Sequence, residues 1–431
     1  MSNRMEYFYY KEKRLYVESV SIDEIANEFG TPLYIYSRNA IETNFLKYKT
    51  PLEKHNHRIC YAVKANSNLA VLNILARLGA NFDIVSVGEL ERVLTAGGKP
   101  SNIVFSGVGK KRSEIKRALE VGIYCFNVES DFELHLVQEI AETISKIAPI
   151  SIRVNPDVDA ETHPYISTGL KTNKFGVDIN LALGLYQKAA TMQNIKIIGI
   201  DCHIGSQLTS KEPLLDALDR LLLLVDNLRD EGIKIEHLDI GGGLGICYKD
   251  ERPPSPNEYI TEILKRLEGR DLTLVLEPGR SIVAQAGILV AKVEVLKVTE
   301  HKAFAVVDAA MNDLLRPSIY GSWHDIISVN QSLKDRKSRI YDIVGPICET
   351  GDFLGKDRTL CIKEGDLLAV LSAGAYGFVM SSNYNSRNRP AEVLVDKNQV
   401  HVVRRRETIQ DQIATEAIPP PPPPESLPES I

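Results

Sequence analysis

The chain has 431 residues, 44% of them hydrophobic and 25% charged, and its formal net charge is −6. This length favours two domains, and the composition is that of a soluble protein with a large core. A net negative charge without a clustered basic face is not typical of nucleic-acid-binding proteins, so we expect no such partner. The N-terminal residues lack the apolar segment of a secretory signal, and no run of roughly eighteen apolar residues predicts a membrane span. We therefore expect a cytoplasmic protein whose six scattered cysteines are reduced.

The middle of the chain alternates short apolar runs with amphipathic stretches. The runs comprise residues 59–63, 82–86, 103–106, 124–128, 150–154, 197–202, 235–240 and 272–276. The helix-like stretches comprise residues 67–78, 87–96, 111–119, 130–147, 181–191, 211–229 and 255–267. This alternation predicts parallel βαβ units, whose strands are buried on both faces. Eight such units favour a (β/α)₈ TIM barrel, although counting alone leaves an open doubly wound sheet as the alternative.

The pattern changes after residue 280, where strand-like runs dominate and long helical patterns are scarce. The runs comprise residues 288–298, 304–308, 340–343, 367–372 and 391–403. They predict a second, all-β domain of the sandwich or barrel type. We expect the N-terminal strand or hairpin at residues 7–20 to join its sheets. The predicted domains are thus a barrel at 33–279, a β-domain from 1–32 and 280–417, and a disordered proline-rich tail at 418–431.

Distinctive residues follow four of the predicted barrel strands. Lys64 follows the first, His203 the sixth, the glycine cluster at 241–245 the seventh, and Glu277 with Arg280 the eighth. In a TIM barrel, catalytic groups lie at these C-terminal strand ends, and the loops after strands seven and eight commonly bind phosphate. Each feature also has a plain alternative: a surface lysine, a structural histidine, a glycine turn, or a Glu277–Arg280 salt bridge.

Together, however, the four features match the needs of a pyridoxal 5′-phosphate site. A lysine held against apolar strands is expected to have a lowered pKa and to attack carbonyl carbon. The flat ring of His203 could stack on a planar cofactor. Glu277 could keep a pyridine nitrogen protonated, and so preserve the ring as an electron sink. The six cysteines are scattered without a CxxC pair, and their spacing predicts no metal site.

Six sequence motifs support this interpretation. They are AVKAN (62–66), CHIGSQ (202–207), GGGLG (241–245), EPGR (277–280), GPICETGD (345–352) and GAYGFVMSSNYNSRNRP (374–390). Their combination resembles that of the pyridoxal-phosphate-dependent decarboxylases built from a barrel and a β-domain. The resemblance covers nearly the whole chain before the proline tail.

The resemblance implies roles for individual residues. Lys64 would bind pyridoxal 5′-phosphate as a Schiff base with support from Asp83, His203 would stack on the ring, and Glu277 would pair with the ring nitrogen. Cys348 would act as a general acid, since it lies in a polar turn, although an inert buried thiol is the plain alternative. The remaining cofactor-binding residues implied are Ser206, Gly243, Pro278, Gly279, Arg280 and Tyr376.

Members of the family decarboxylate ornithine, arginine, carboxynorspermidine or meso-diaminopimelate. The last of these carries a carboxylate and an ammonium at its far end, which call for an arginine and a carboxylate respectively. Arg316 stands where ornithine-type members have an acidic residue, and Glu349 where they have a shorter aspartate. The implied substrate-binding residues are Arg280, Arg316, Tyr320, Glu349 and Tyr376. We therefore expect conversion of meso-diaminopimelate to L-lysine and carbon dioxide, the last step of lysine biosynthesis.

Other functions remain open at this stage. Another basic amino acid or polyamine precursor could be the substrate, and a non-catalytic pyridoxal-phosphate-binding homologue would share the fold. A racemase of the same barrel type is disfavoured because its ring nitrogen faces an arginine, whereas Glu277 is acidic. The resemblance further implies a homodimer with shared active sites, in which Cys348 and Glu349 reach the cofactor of the neighbouring subunit.

Overall fold

The computed structural model of the protein describes residues 5–159, 168, 174–332 and 337–421. Its N-terminal elements are β1 (Phe8–Lys11), β2 (Arg14–Val17), β3 (Val20–Ser21), α1 (Ile22–Phe29) and β4 (Leu33–Ser37). Strands β1, β2 and β3 form a small antiparallel sheet of their own. The sequence predicted that this hairpin joins the C-terminal sheets, but it forms a sheet of its own. It contacts that domain through a hydrogen bond of 2.8 Å from Leu15 N to Val329 O.

Eight parallel strands then close into a barrel. The strands of this part are β5 (His57–Ala62), β6 (Asn81–Ile84), β7 (Ile103–Phe105), β8 (Cys125–Val128), β9 (Ala148–Asn155), β10 (Val177–Asp178), β11 (Ile195–Asp201), β12 (His237–Asp239) and β13 (Thr273–Leu276). All except the two-residue β10 form the barrel, which closes where β13 pairs with β5. The predicted TIM barrel is confirmed, and this closing pair excludes the open sheet.

Helices cover the outside of the barrel. They are α2 (Arg38–Leu52), α3 (Leu69–Arg77), α4 (Val87–Thr95), α5 (Arg112–Val121), α6 (Asp131–Thr143), α7 (Ile179–Ala190), α8 (Glu212–Asp230) and α9 (Pro256–Leu267). Helix α8 buries Leu214, Leu218, Leu221 and Val225, which share one helical face. Helix α9 begins with a capping box, in which Ser255 and Glu258 bond to each other's backbone N–H groups.

The C-terminal part is a mostly β domain, as predicted. Its elements are α10 (Arg280–Val283), β14 (Gly287–Val298), β15 (Ala303–Val307), α11 (Arg316–Tyr320), β16 (Ile326–Ser328), β17 (Arg339–Val344), β18 (Phe353–Leu360), β19 (Leu367–Val370), β20 (Ala391–Asp396), β21 (Gln399–Arg404) and α12 (Ile409–Ile413). The run at 391–403, predicted as one strand, is a hairpin of β20 and β21. It turns near Lys397, whose φ is +58°. Strands β16 and β18 were missed by the sequence interpretation.

Strand β4, which falls inside the predicted barrel domain 33–279, belongs to the β-domain instead. Strand β4 pairs antiparallel with β14 and parallel with β20. This corrects the predicted boundary at residue 33, because the barrel layer begins only with α2. All five β4 residues are buried, and such a run looks the same in either domain since the local pattern does not reveal the pairing partner.

Residues 422–431 of the predicted tail lie outside the described residues, whereas Ile418 is almost fully exposed. Among the helices that the structure describes, none combines the length and apolar character required to cross a bilayer.

Candidate active site

A cavity of about 350 Å³ lies where the C-terminal ends of the barrel strands meet the β-domain. The predicted site residues that line it are Lys64, His203, Ser206, Gly243, Glu277, Gly279, Arg280, Arg316, Tyr320 and Tyr376. These residues are far apart in sequence, and the barrel and β-domain bring them together. The four predicted residues that do not line it are Asp83, Pro278, Cys348 and Glu349.

Lys64 follows β5 in a short 3₁₀ turn, Val63–Ala65. Its Nζ donates a hydrogen bond of 2.8 Å to Oδ2 of the fully buried Asp83 at the end of β6. The side chain keeps 37% of its surface exposed and lines the cavity. Asp83 therefore holds the Lys64 side chain through this hydrogen bond, although Asp83 itself does not line the cavity.

The expected lowering of the Lys64 pKa is not found. Burial alone would lower this pKa, but Asp83, Glu277 and Tyr376 outweigh burial and raise it above its ordinary value. The sequence interpretation considered the apolar strands and not the carboxylate on the neighbouring strand. Lys64 is thus an ammonium in this state, and its nitrogen must lose a proton before it can attack a carbonyl carbon.

His203 follows β11 and is held as a neutral ring. Its Nδ1 accepts a hydrogen bond of 3.3 Å from Gly242 N, which leaves the proton on Nε2. Burial, together with the positive charges of Arg153 and Lys64, lowers the pKa of His203 well below its ordinary value. An uncharged flat ring in the cavity wall suits stacking against a planar cofactor.

Two glycines of the cavity wall, Gly243 and Gly279, form a tight backbone cradle. Gly243 has a φ of +102°, and a Cβ there would lie 2.5 Å from the carbonyl oxygen of Gly205. A Cβ at Gly279 would lie 3.0 Å from the Cβ atoms of Ala62 and Ala65. Both glycines thus let the backbone pack closely against neighbouring segments of the cavity wall, where N–H groups could face an anion. Pro278 contributes through its backbone, because its carbonyl accepts a hydrogen bond of 3.1 Å from Ala62 N.

Glu277 belongs to a buried group of carboxylates inside the barrel. Ligand oxygens of Asp201, Asp239 and Glu277 all lie within 4.8 Å of one another. Burial first, and then Asp239, Asp83 and Asp201, raise the pKa of Glu277 well above its ordinary value. Sequence analysis missed Asp201 and Asp239, although an aspartate within each of two apolar runs was a visible signal. Among the described ion pairs, none joins Glu277 to Arg280, so the plain salt-bridge alternative is not supported.

Two buried arginines line the cavity near its β-domain wall. Arg280 donates from Nη1 to Tyr248 Oη and from Nη2 to Ser206 Oγ, both at 2.9 Å. Arg316 donates from Nη1 to His324 Nε2 at 2.7 Å. They are 7% and 5% exposed, and neither forms an ion pair with a carboxylate within the described part of the chain. Buried cations without anionic partners favour binding of an anion.

Tyr376 lies beside these arginines in a constrained backbone conformation. Its φ is +55°, its N donates to Ala65 O at 2.8 Å, and its ring centroid is 4.9 Å from the Arg280 guanidinium carbon.

Tyr248, His324 and Trp323 were not predicted as site residues. Their roles depend on contacts between distant segments, so the sequence alone held no signal for them.

Cys348 and Glu349 lie outside the cavity of their own chain. Both are exposed, and Cys348 N donates a hydrogen bond of 2.9 Å to Asn385 Oδ1. Asn385 has a φ of +54°, which is uncommon for a residue other than glycine. The single chain therefore does not bring the predicted general acid to Lys64.

The residues of the cavity fit pyridoxal 5′-phosphate. Gly243 and Gly279 line the cavity without side chains, so their backbone is open to a phosphate. Asp83 Oδ1 is buried and has no hydrogen-bond partner among the described residues, so an unmatched acceptor lies beside Lys64, behind the residues that line the cavity. The neutral ring of His203 and the carboxyl group of Glu277 complete a set of groups suited to a flat, nitrogen-containing ring.

Comparison with known proteins agrees with this fold and site. The family described as "Pyridoxal-dependent decarboxylase, pyridoxal binding domain" matches residues 38–284. The chain belongs to this family of pyridoxal-dependent decarboxylases, and within it to the group of diaminopimelate decarboxylases.

Individual relatives support the narrower grouping. The chain is 62% identical to diaminopimelate decarboxylase of Pseudomonas aeruginosa over 416 residues, which is 96% of this chain and the whole of that protein. It is 58% identical to the enzyme of that name from Vibrio cholerae over 418 residues, again 96% of this chain and the whole of the relative. The crystal structure of diaminopimelate decarboxylase from Helicobacter pylori complexed with L-lysine is 42% identical, with a TM-score of 0.88 covering 91% of this chain and 98% of that one.

Proposed function

We propose that this chain binds pyridoxal 5′-phosphate through Lys64 and decarboxylates meso-2,6-diaminopimelate to L-lysine and carbon dioxide. The observation that carries the proposal is the cavity itself, which combines Lys64, the glycine cradle and two buried arginines that form no ion pair with a carboxylate of the described residues. The names of the relatives from Pseudomonas aeruginosa and Vibrio cholerae support the same reaction.

The cofactor-binding residues have distinct tasks. Ser206, Gly243 and the backbone of Gly279 and Arg280 would hold the phosphate, with Tyr376 beside them. His203 would cover one face of the ring. When bound, the cofactor supplies an electron-withdrawing ring that accepts the electron pair released with carbon dioxide.

Acidic residues control the protons at the two ends of the cofactor site. Asp83 holds the Lys64 ammonium through the 2.8 Å hydrogen bond, and so orients Nζ toward the cavity. Glu277 would face the ring nitrogen. The pKa of its carboxyl group is raised without the cofactor, and a cationic ring nitrogen would favour the ionised form.

The two arginines favour a substrate with a carboxylate at its far end. Meso-diaminopimelate keeps such a carboxylate after the reacting one is lost, whereas ornithine and arginine each have only the carboxylate that is lost. Arg316 would bind the carboxylate at the far end, which is retained in L-lysine, and Tyr320 lies in the same wall. Glu349 would pair with the far ammonium.

We further propose that the active enzyme is a homodimer with shared sites. Cys348 and Glu349 are exposed in a single chain, so a second subunit would have to bring them to a cavity. Cys348 would then donate the proton that replaces the lost carboxylate.

A direct assay tests the cofactor and the substrate together. The purified protein is incubated with pyridoxal 5′-phosphate and then with meso-diaminopimelate, ornithine or arginine. It should release L-lysine and carbon dioxide from meso-diaminopimelate and should not decarboxylate the other two. Borohydride reduction should fix the cofactor to Lys64, as mapped by peptide mass spectrometry, and labelling should be lost in Lys64→Ala but not in the control Lys116→Ala, which is exposed on α5. Turnover of ornithine instead, or labelling of another lysine, would contradict the proposal.

A further inference from the structure

Tyr248 touches both buried arginines of the cavity. It lies in the loop after the glycine cluster and is 4% exposed. Its Oη accepts the hydrogen bond from Arg280, and its ring centroid lies 4.5 Å from the guanidinium carbon of Arg316. The ring also packs edge-on against His324, at 5.3 Å between centroids. One side chain thus contacts Arg280 through its oxygen and Arg316 through its face.

The contacts of Tyr248 offset the repulsion between the two buried arginines. Arg280 and Arg316 are buried like charges, and burial followed by the influence of Arg280 lowers the pKa of Arg316. Their repulsion is strong where water is excluded. A hydroxyl acceptor for one guanidinium and an aromatic face for the other both offset part of that repulsion. Among the described residues, no carboxylate is ion-paired with either arginine to do this instead.

The loop that carries Tyr248 is itself fixed from the backbone side. Glu251 Oε2 accepts hydrogen bonds from Tyr248 N at 2.9 Å and from Lys249 N at 2.6 Å. Glu251, which also lines the cavity, therefore fixes the backbone of the loop that carries Tyr248.

We propose that Tyr248 is a positioning residue that holds Arg280 and Arg316 side by side as a receptor for the far-end carboxylate of the substrate. This inference rests on the proposed function, and it adds a residue that acts on the substrate through both arginines. The hydroxyl orients the fork of Arg280, and the ring restrains the plane of Arg316.

The phenol also makes the receptor sensitive to pH. Burial alone would raise the pKa of Tyr248, but Arg280 and Arg316 outweigh it and the pKa lies below its ordinary value. Loss of the phenolic proton would cancel one positive charge of the receptor, so affinity for a dicarboxylate falls as pH rises through this pKa. His324 stays neutral because burial, with Arg316, lowers its pKa to about 3. The charged and titratable groups around Tyr248 and its arginines are Arg280, Arg316, His324, Glu251, Tyr320 and Tyr376.

The test uses pimelate, the seven-carbon dicarboxylate without amino groups, as a probe of the cofactor-loaded protein. Isothermal titration calorimetry on Tyr248→Phe should show a Kd raised about 10- to 150-fold near pH 7, as expected for loss of one buried hydrogen bond to a charged group. The wild-type Kd should also rise between about pH 7 and 10, and this rise should be absent from Tyr248→Phe. The matched control is Tyr259→Phe, because the buried Tyr259 hydroxyl has no hydrogen-bond partner in the described part of the chain and Tyr259 does not line the cavity. It should behave as wild type.

Wild-type affinity and an unchanged pH profile in Tyr248→Phe would overturn the proposal. If that variant does not fold, the wild-type protein still decides, because a Kd that is flat from about pH 7 to 10 would equally refute the role of the phenol. Failure of the proposed function has a different signature, namely wild-type protein that releases no L-lysine from meso-diaminopimelate whatever its affinity for pimelate.

Discussion

Replacing Arg316 with alanine tests the assignment of the substrate. The guanidinium is 5% exposed and donates to His324 Nε2 at 2.7 Å. A carboxylate bound to it would be largely desolvated, and deleting one partner of such a pair costs on the order of 2–4 kcal/mol. At about 1.4 kcal/mol per decade, Arg316→Ala should lower kcat/KM for meso-diaminopimelate about 30- to 1000-fold, with cofactor binding unchanged.

Inhibition by the product and by a product analogue tests which carboxylate Arg316 binds. Decarboxylation removes the carboxylate at the reacting carbon, so L-lysine keeps the one at the far end. Inhibition by L-lysine should therefore weaken in Arg316→Ala, whereas inhibition by 1,5-diaminopentane, which has no carboxylate, should stay within about twofold. Arg316→Lys keeps the charge but not the planar fork, and its loss should be intermediate.

The control for this experiment is Arg117→Ala, an exposed residue whose carboxylate partner is Glu91. Steady-state kinetics and melting curves on all three variants separate binding from stability, since removal of Arg316 also leaves His324 Nε2 without its donor. An Arg316→Ala enzyme with normal kinetics, or one with equal losses for L-lysine and 1,5-diaminopentane, would refute the far-carboxylate role.

Three further predictions follow from the same structure. Glu277→Gln should retain the cofactor, as read from its visible absorbance, but lose most turnover, because the ring nitrogen loses its charged partner; a near-normal rate would contradict this role. Mixing Lys64→Ala with Cys348→Ala under conditions of subunit exchange should restore up to about a quarter of wild-type activity if sites are shared in a two-fold dimer, and no recovery after verified exchange would place both residues in one chain's site. Burial raises the pKa of Asp313 to about 7. The protonated carboxyl group therefore stabilises the folded state, fully below the unfolded-state pKa of about 4, and this contribution is lost as pH rises through about 7. Between about pH 5 and 7, the Tm measured by calorimetry should therefore fall less in Asp313→Asn than in the wild type. Equal falls in Tm would show that Asp313 does not titrate in this range.

The sequence by itself determined the barrel and most of its active end. Eight apolar runs each became a strand, because a parallel strand buried on both faces must be apolar along its length. Lys64, His203, Gly243 and Glu277 then had to share one end of the barrel, since parallel strands align their C-terminal ends. Local pattern and chain direction carry this information.

Only the tertiary structure decided which distant groups meet. Strand β4 has the apolar pattern of a barrel strand, yet it pairs with β14 and β20 in the other domain. Lys64 was expected to have a lowered pKa from its apolar neighbours, but Asp83 on the adjacent strand reverses the direction. Tyr248 was invisible to sequence reasoning because its importance comes from the two arginines that it contacts. Electrostatic interactions depend on distances through space, and a pattern along the chain does not contain those distances.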